Sequence, residues 1–352
     1  MFRASVSPRK AAGNTAGKMV YSALQMVYGV ALTSFRPGFF TVRTQNEHRD
    51  AMKSSAETSS ATPQSSSGIA CAVGAYLIWG LGPIYFKALQ AVPAFEILTH
   101  RMVWSFFFLL PIVVVMGRWP EFKGVVTNRR TMLILLGTTI LVSSNWFVYI
   151  WAINSGKILQ TSLGYYITPL INVLLGMVLL RERLRPAQAV AVCLAAVGVI
   201  YVTVEVGFLP WIALFLAFSF GFYGLIRKVA PVNALVGLTV ETLLLSIPAT
   251  GYLVYLHITG SGAFLQGDLR VDVLLVCAAL VTALPLLLFT TGARKILFIT
   301  IGILQYIAPS CTFLLALFIY DEPFRRAQLL TFALIWLALA IFTVDMVVHH
   351  RR

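Results

Sequence analysis

Apolar stretches of about twenty residues follow one another along most of the chain, and short polar connections separate them. A helix needs about 20 apolar residues to cross the hydrocarbon core of a bilayer. The pattern therefore predicts an all-α integral membrane protein with ten transmembrane helices. The predicted spans are 69–88, 94–116, 131–152, 159–180, 187–205, 209–226, 234–256, 272–293, 297–319 and 328–348.

Five prolines lie inside these predicted spans: Pro111, Pro169, Pro248, Pro285 and Pro309. A proline removes one i→i−4 hydrogen bond, which a packed bundle tolerates better than a helix surrounded by lipid. The prolines therefore indicate a packed bundle. Three of them, Pro169, Pro285 and Pro309, are predicted to break their helices or to act in gating.

Residues 1–67 have a different composition, first basic and then rich in Ser, Thr, Ala and Gln. This composition predicts a disordered N-terminal tail without a signal peptide. Met52 is a candidate for the true start, in which case residues 1–51 would be an untranslated extension. N-terminal sequencing of the native protein tests this hypothesis, which fails if the protein begins at residue 1.

Bulk composition excludes a soluble domain. Hydrophobic residues make up 59% of the chain and charged residues 11%, whereas soluble domains carry roughly 25% charged residues. The net charge of +14 therefore does not indicate a nucleic-acid partner, because the basic residues lie in the connections between spans. The lipid bilayer is the expected surrounding.

The distribution of basic residues predicts the orientation. If both termini are cytoplasmic, the inner connections contain Arg118, Lys123, Arg129, Arg130, Arg181, Arg183, Arg185, Arg227, Lys228, Arg294 and Lys295. The outer connections then contain Lys87, Lys157, Arg270, Arg325 and Arg326. This excess agrees with the positive-inside rule, so a cytoplasmic-membrane protein with a cytoplasmic tail at 349–352 is expected.

The two halves of the chain resemble each other when the sequence is shifted by 140 residues. Tyr166 and Pro169 then fall on Tyr306 and Pro309, Glu182 falls on Glu322, and Arg185 falls on Arg325. The repeats are predicted at 68–205 and 206–348. Since five spans is an odd number, the second repeat enters the membrane inverted, which is a recurring architecture of secondary transporters with a site near mid-depth.

Several strings are similar to the RarD proteins, an EamA-type branch of the drug/metabolite transporter superfamily. These are residues 76–80 (YLIWG), 96–101 (EILTHR), 104–107 (WSFF), 145–146 (NW), 162–166 (SLGYY) and 216–225 (LAFSFGFYGL). The resemblance covers 68–352. It implies two EamA-like repeats, cytoplasmic termini and transport without ATP hydrolysis, in a superfamily whose members export amino acids, drugs or other small metabolites. RarD proteins themselves are often labelled chloramphenicol-sensitive permeases.

The sharpest candidate cluster is Glu96, His100 and Arg101, near the start of the second span. Glu96 and His100 are four residues apart and share a helix face. Because an ionisable residue costs about 2.5–3.5 kcal/mol at the membrane centre on insertion scales, such residues usually face a cavity or a partner. The cluster predicts a proton- or substrate-sensing site; the alternative is a structural polar cap at the outer interface.

Glu241 is isolated in a long apolar run early in the seventh span, which favours either a cavity-facing carboxylate or a hydrogen bond between helices. Arg101 is the one cation expected inside the bundle. Neutral or zwitterionic solutes are therefore favoured over phosphorylated ones. Glu182 and Glu322, which follow spans beside arginines, are expected to act as helix caps and in loop ion pairs.

A set of polar and aromatic residues within the spans is predicted to line a solute pocket. Its members are Trp79, Tyr85, Asn145, Trp146, Tyr149, Trp151, Asn154, Tyr165, Tyr166, Asn172, Gln305 and Tyr306. The alternative for some of these is an aromatic belt at the membrane interface, to which Trp119, Trp151 and Trp211 are assigned.

Together these observations predict a secondary transporter, with export the expected direction, for small neutral or zwitterionic metabolites or drugs. No catalytic residue, cofactor or metal ligand is expected, and the four scattered cysteines suggest neither a zinc site nor a disulfide framework. The alternatives are a membrane enzyme without an identified catalytic motif and a channel-like pore. Proton or ion coupling and the state of any homo-oligomer stay open.

Overall fold

The structure, a computed structural model, describes residues 65–155, 157–207, 211–319 and 326–350. The side chains of residues 153, 154, 158–160, 206, 326, 327 and 350 are also outside the description. The prediction of a disordered tail over 1–67 and the hypothesis of a start at Met52 therefore concern residues that lie almost wholly outside the described part. The first described helix begins at Ser66.

The described residues form twelve helices and no strand. They are α1 Ser66–Ala88, α2 Ala94–Val115, α3 Trp119–Thr127, α4 Arg129–Asn154, α5 Ile158–Leu179, α6 Pro186–Val206, α7 Trp211–Val229, α8 Ala234–Thr259, α9 Leu269–Ala293, α10 Phe298–Leu304, α11 Ile307–Phe318 and α12 Arg326–His350.

All ten predicted spans are confirmed among the described residues. Ten helical segments are long and apolar enough to cross a membrane, with α10 and α11 together forming the ninth. The short helix α3 was not predicted. It lies between the second and third spans and buries Phe122 and Val125, so a two-residue apolar face is enough to dock it.

The helix pairs show that the repeats are inverted and interlocked. The contact of α1 with α9 is matched by that of α7 with α4, and the contact of α1 with α11 is matched by that of α7 with α5. In three further pairs, a helix contacts its own equivalent in the other repeat: α2 with α8, α5 with α10 and α6 with α12. A pseudo-two-fold relation between the first five and last five spans produces this pattern. The fold class is therefore two inverted five-helix repeats, whereas the boundaries at 68–205 and 206–348 stay a prediction.

Glycines allow the closest contacts between the repeats. A Cβ atom added to Gly302 would lie 2.7 Å from the Pro169 carbonyl oxygen, and one added to Gly80 would lie 2.6 Å from Cys311 Cβ. Van der Waals packing holds helices together where lipid removes the hydrophobic drive, so small residues at the contact matter most.

The predicted helix breaks at Pro169 and Pro285 are wrong. Helix α5 continues through Pro169 and α9 continues through Pro285, since a packed bundle tolerates one missing hydrogen bond. The ninth span does break, at Gln305 and Tyr306. Pro309 has no N–H to donate to the Gln305 carbonyl oxygen, which accepts instead from Ala308 N at 3.2 Å. A gating role of the three prolines stays a prediction.

An ion pair lies buried between α7 and α8. Arg227 Nε is 3.5 Å from Glu241 Oε1, and the two side chains are 0% and 2% exposed. Glu241 also accepts from Thr138 Oγ1 at 2.5 Å and from Tyr223 OH at 3.3 Å. Arg227 Nη2 donates to the Ala234 carbonyl oxygen at 2.9 Å.

This pair corrects three predictions. Arg227 is not in a loop, Arg101 is not the one cation inside the bundle, and Glu241 is not isolated. The physical reason is the length of α7, which ends at Val229 and not at the predicted 226, so that Arg227 enters the span. The chain then crosses to α8 within four residues, which brings Glu241 beside Arg227.

The buried pair predicts a distinct stability pattern. Arg227→Met leaves Glu241 as an uncompensated buried charge, a loss of about 3–5 kcal/mol, and should lower the melting temperature of the purified protein in detergent. The double variant Arg227→Met/Glu241→Gln should regain much of that loss. Arg118→Met, which breaks the more exposed Arg118–Glu121 pair, serves as the control and should have a small effect. Equal melting temperatures for Arg227→Met and the control would contradict the assignment.

Candidate solute-binding cavity

Arg101 lies two turns into α2 and points toward the middle of the bundle. Its Nε donates to Thr282 Oγ1 of α9 at 2.7 Å. The guanidinium carbon is 5.3 Å from the ring centroids of both Phe86 and Trp146. Arg101 forms no ion pair with any described acidic residue, and it is only half-buried, so part of its guanidinium faces open space.

Tyrosines surround this guanidinium. Tyr149 and Tyr165 pack edge to face with ring centroids 6.0 Å apart, and both lie near enough to Arg101 to interact electrostatically, as does Tyr85. The Tyr85 hydroxyl donates to the Leu274 carbonyl oxygen. Tyr165 is 48% exposed although it lies beside Arg101 inside the bundle.

The exposed surface beside Arg101 therefore belongs to a cavity. We call it the Arg101 cavity, lined by Tyr85, Phe86, Arg101, Trp146, Tyr149, Tyr165 and Thr282. Its walls come from α1, α2, α4, α5 and α9, and so from both repeats.

An aromatic layer closes the bundle on one side of this cavity. Trp79 is half-buried, with its ring centroid 5.9 Å from Phe220 and 5.8 Å from Phe289. Tyr76, one turn earlier, is fully buried and donates to the Ile301 carbonyl oxygen at 3.1 Å. Tyr223, Phe289 and Phe298 are fully buried as well, so solvent does not pass this layer.

Beyond the aromatic layer, polar contacts join the repeats at the end of the bundle where α1 begins, which we call the basic end after Lys228, Arg294 and Lys295. The Glu182 carboxylate accepts from Phe298 N at 2.7 Å and from Ile299 N at 2.8 Å, which caps α10. Lys228 Nζ is 4.0 Å from Glu182 and donates to the Ala293 carbonyl oxygen at 2.8 Å. The predicted capping role of Glu182 is confirmed, while Glu322 lies outside the described residues.

Repeat-equivalent residues differ in exposure. Tyr165 is 48% exposed, whereas its equivalent Gln305 is 9% exposed. Tyr166 is half-buried, whereas its equivalent Tyr306 is fully buried. These differences between equivalent positions indicate that the cavity is open on one side of the interface only.

The predicted cluster of Glu96, His100 and Arg101 is not a single site. Glu96 Oε1 accepts from Ala263 N at 2.7 Å, in the connection between α8 and α9. The His100 ring centroid is 4.8 Å from that of Phe264, and its Nδ1 accepts from Trp104 Nε1 at 3.1 Å. Successive helical residues point about 100° apart, so Arg101 faces the cavity while His100 faces this connection. Glu96 Oε1 and His100 Nε2 are 4.0 Å apart, and both residues line a small separate cavity with Phe264. The proton- or substrate-sensing role of Glu96 and His100 stays a prediction.

The amide residues of the predicted pocket pair between helices. Asn145 Nδ2 donates to the Leu216 carbonyl oxygen and to Ser219 Oγ, each at 2.8 Å. Asn172 Nδ2 donates to Gln305 Oε1 at 2.6 Å.

Tyr306 OH similarly donates to the Tyr166 carbonyl oxygen at 3.1 Å. These polar groups thus connect the repeats. Trp151 packs against Trp211 with centroids 5.9 Å apart and both partly exposed, and the Asn154 side chain is outside the description.

Tyr85, Trp146, Tyr149 and Tyr165 are the predicted pocket residues that surround Arg101, and Trp79 lies in the aromatic layer. Sequence reasoning missed Phe86 and Thr282. Neither residue carries a sequence signal, because a phenylalanine or threonine within a span is ordinary. Only the packing of α1 and α9 against α2 brings them to Arg101.

Comparisons with known proteins agree with this architecture. Residues 66–204 match the EamA-like transporter family. An "Uncharacterized transporter" of Vibrio cholerae is 50% identical over 79% of this chain and 92% of its own length. Protein RarD of Escherichia coli (strain K12) is 42% identical over 82% of this chain and 98% of its own.

A more distant relative, "Chloramphenicol-sensitive protein RarD" of Pseudomonas aeruginosa, is 32% identical over 79% of this chain and 93% of its own length. A crystal structure with 18% sequence identity superposes with a TM-score of 0.62 over 80% of this chain and 98% of that one. That likeness supports the fold alone.

The fold, the cavity between inverted repeats and these relatives define a multi-pass membrane transporter. The chain belongs to the EamA-like transporter family of the drug/metabolite transporter superfamily, and its relatives include proteins named RarD. The resemblance seen in the sequence is confirmed.

The Glu182 cap predicts how the basic end opens. A charge at a helix N-terminus contributes about 0.3–2 kcal/mol, so Glu182→Gln should favour opening there by up to about thirtyfold. Cys71 lies buried in α1 near that end and reports opening by its rate of alkylation, in a background with Cys193, Cys277 and Cys311 replaced by serine. We expect faster alkylation of Cys71 in Glu182→Gln.

The matched control is Asp268→Asn, which removes the charge from the carboxylate that caps α9 at the other end of the bundle. It should leave the alkylation rate of Cys71 unchanged. If both variants change this rate equally, Glu182 has no particular role in closing the basic end.

Proposed function

We propose that the protein is a secondary transporter that moves small neutral or zwitterionic metabolites or drugs across the cytoplasmic membrane by alternating access. The observation that carries this proposal is the one-sided Arg101 cavity between two inverted repeats, open beside Tyr165 and closed beside Tyr306. Inverted repeats can exchange conformations, so that the site at their interface faces each side of the membrane in turn.

The exchange of conformations requires particular contacts at the basic end to break. For the basic end to open, α10 must part from Glu182, and the hydrogen bond from Tyr76 to the Ile301 carbonyl oxygen must break. The helices around Arg101 would close in the same motion, because the helix pairs at one end have repeat-equivalent pairs at the other. The solute would then be released from one conformation and loaded in the other.

Orientation and direction follow from charge and relatives. The positive-inside rule supports a cytoplasmic basic end and cytoplasmic termini, so the Arg101 cavity would open outward in this conformation. Export is the direction we propose, with release into the outward-facing cavity. The name of the Pseudomonas aeruginosa relative, which refers to chloramphenicol, supports drugs or drug-sized metabolites as solutes.

Flux assays in proteoliposomes test this function. Purified protein should produce saturable efflux or uptake of at least one solute of a panel of amino acids, small metabolites and drugs, beyond that of protein-free liposomes. Repeating each assay with and without a pH gradient separates proton-coupled from facilitated transport. No flux of any solute by folded protein, in either direction, would contradict the proposal.

Two tryptophan variants tie the flux to the cavity. Trp146→Ala removes a ring that flanks Arg101 and should lower the rate at limiting solute by roughly tenfold, from lost aromatic contact and buried area. Trp211→Ala, at a partly exposed ring on the bundle surface, is the matched control and should leave flux unchanged. Equal effects would place the solute elsewhere.

A further inference from the structure

Arg101 differs from Arg227 and Lys228 because it has no acidic partner among the described residues. Arg227 has Glu241 and a carbonyl oxygen as partners, and Lys228 has Glu182 and carbonyl oxygens. The one hydrogen bond that Arg101 makes within the described residues uses Nε. Its two Nη atoms are not among the buried polar atoms without a partner, so they face the open cavity.

The repeat makes this difference specific. The 140-residue shift places α2 on α8, so that Leu98 falls on Leu238, Thr99 on Thr239 and Arg101 on Glu241. The two residues also form hydrogen bonds to equivalent helices. Arg101 of α2 donates to Thr282 of α9, and Glu241 of α8 accepts from Thr138 of α4. Glu241 has a counter-ion from the protein, Arg227, whereas Arg101 has none among the described residues.

The geometry of the guanidinium selects the missing partner. With Nε held by Thr282, the edge formed by Nη1 and Nη2 remains, and it presents two parallel N–H donors. That edge matches the two oxygens of a carboxylate, and such charge-assisted pairs are about twice as strong as neutral hydrogen bonds. The flanking Phe86 and Trp146 rings hold the guanidinium plane in place and keep water away from its faces.

The walls of the cavity limit the rest of the solute. Tyr149 and Tyr165 offer aromatic surface and hydroxyl groups for a flat or apolar body. A second cation is not found among the lining residues described, so a dianion such as a phosphate ester would bring more charge than the cavity neutralises. A cationic group elsewhere on the solute would meet ring faces, which tolerate a cation.

From this geometry we infer that the transported solutes carry a single carboxylate, as monocarboxylates or zwitterions, and that Arg101 is the residue that binds it. The inference rests on the proposed transport function and changes its solute class: purely neutral solutes are excluded, and monocarboxylates join the zwitterions. Thr282 acts as a positioning residue, because its hydroxyl oxygen accepts from Arg101 Nε and so orients the guanidinium.

Pairs of solutes that differ only in the carboxylate test the inference on the intact protein. Calorimetry in detergent would compare 3-phenylpropionate with 3-phenylpropanamide, and phenylalanine with phenylalaninamide. We expect each acid to bind at least about tenfold more tightly than its amide, as a charge-assisted pair requires. Equal affinities of the wild-type protein for acid and amide would overturn the inference without any variant.

Variants test whether Arg101 is the residue that causes the preference for the acid over the amide. Arg101→Gln should abolish the difference between acid and amide, and Arg101→Lys should keep part of it, since a lysine retains the charge but loses the fork. Thr282→Val should weaken binding of the acid alone. Arg130→Gln, at an exposed position at the start of α4, removes a charge far from the cavity and is the control. A preference for the acid that persists in folded Arg101→Gln would overturn the assignment.

The same solute pairs, measured as flux, separate this inference from the transport function. If amides and acids are carried equally well, transport stands and the carboxylate inference fails. If acids bind through Arg101 but no flux of any solute occurs, the carboxylate site stands and the proposed transport function fails.

Discussion

The two repeats bury their polar and apolar surfaces mainly against each other, and the rest of the structure depends on this constraint. Backbone and side-chain polar groups in the hydrocarbon must be satisfied within the protein. Asn145 finds its partners on α7, Asn172 finds Gln305 on the opposite repeat, and Thr138 reaches Glu241. Neither repeat could keep these partners without the other, so the interface between them is at once the core of the protein and the place where a cavity can form.

That interface is packed unequally along its length. At the basic end, Glu182 caps α10, Tyr76 bonds to Ile301, and buried aromatic rings fill the space between helices. Toward the other end, Tyr165 and Arg101 keep open space beside them. A pseudo-symmetric molecule with unequal halves has an equivalent arrangement of similar local geometry in which the halves exchange roles. In the proposed alternating access, polar contacts made at one end would take the place of those made at the other.

The described charged residues of the bundle are of two kinds: those paired within the protein and Arg101, which faces the cavity. Glu241 and Arg227 neutralise each other across a short connection. Tyr223 and Thr138 donate the other hydrogen bonds that the Glu241 carboxylate accepts. Arg101 occupies the position equivalent to Glu241 but keeps a free guanidinium edge toward the cavity. A buried ion pair contributes little net stability relative to apolar packing, and here the pair joins α7 to α8, with Thr138 of α4 as a further contact of Glu241.

Sequence alone determined the ten spans, the inverted repeat and the family, because each depends on hydrophobic length or on residue order, and neither requires knowledge of contacts between helices. It also indicated Arg101, Trp146, Tyr149 and Tyr165 as cavity residues. It could not separate Arg101 from His100, which adjoins it, because the direction of each side chain matters only once α8 and α9 are packed around α2. It placed Arg227 in a loop, since three residues at a helix end are beyond what hydropathy resolves. Only the tertiary structure decided which polar groups pair across the repeats and which face the cavity, because pairing depends on contacts between residues about seventy or more positions apart.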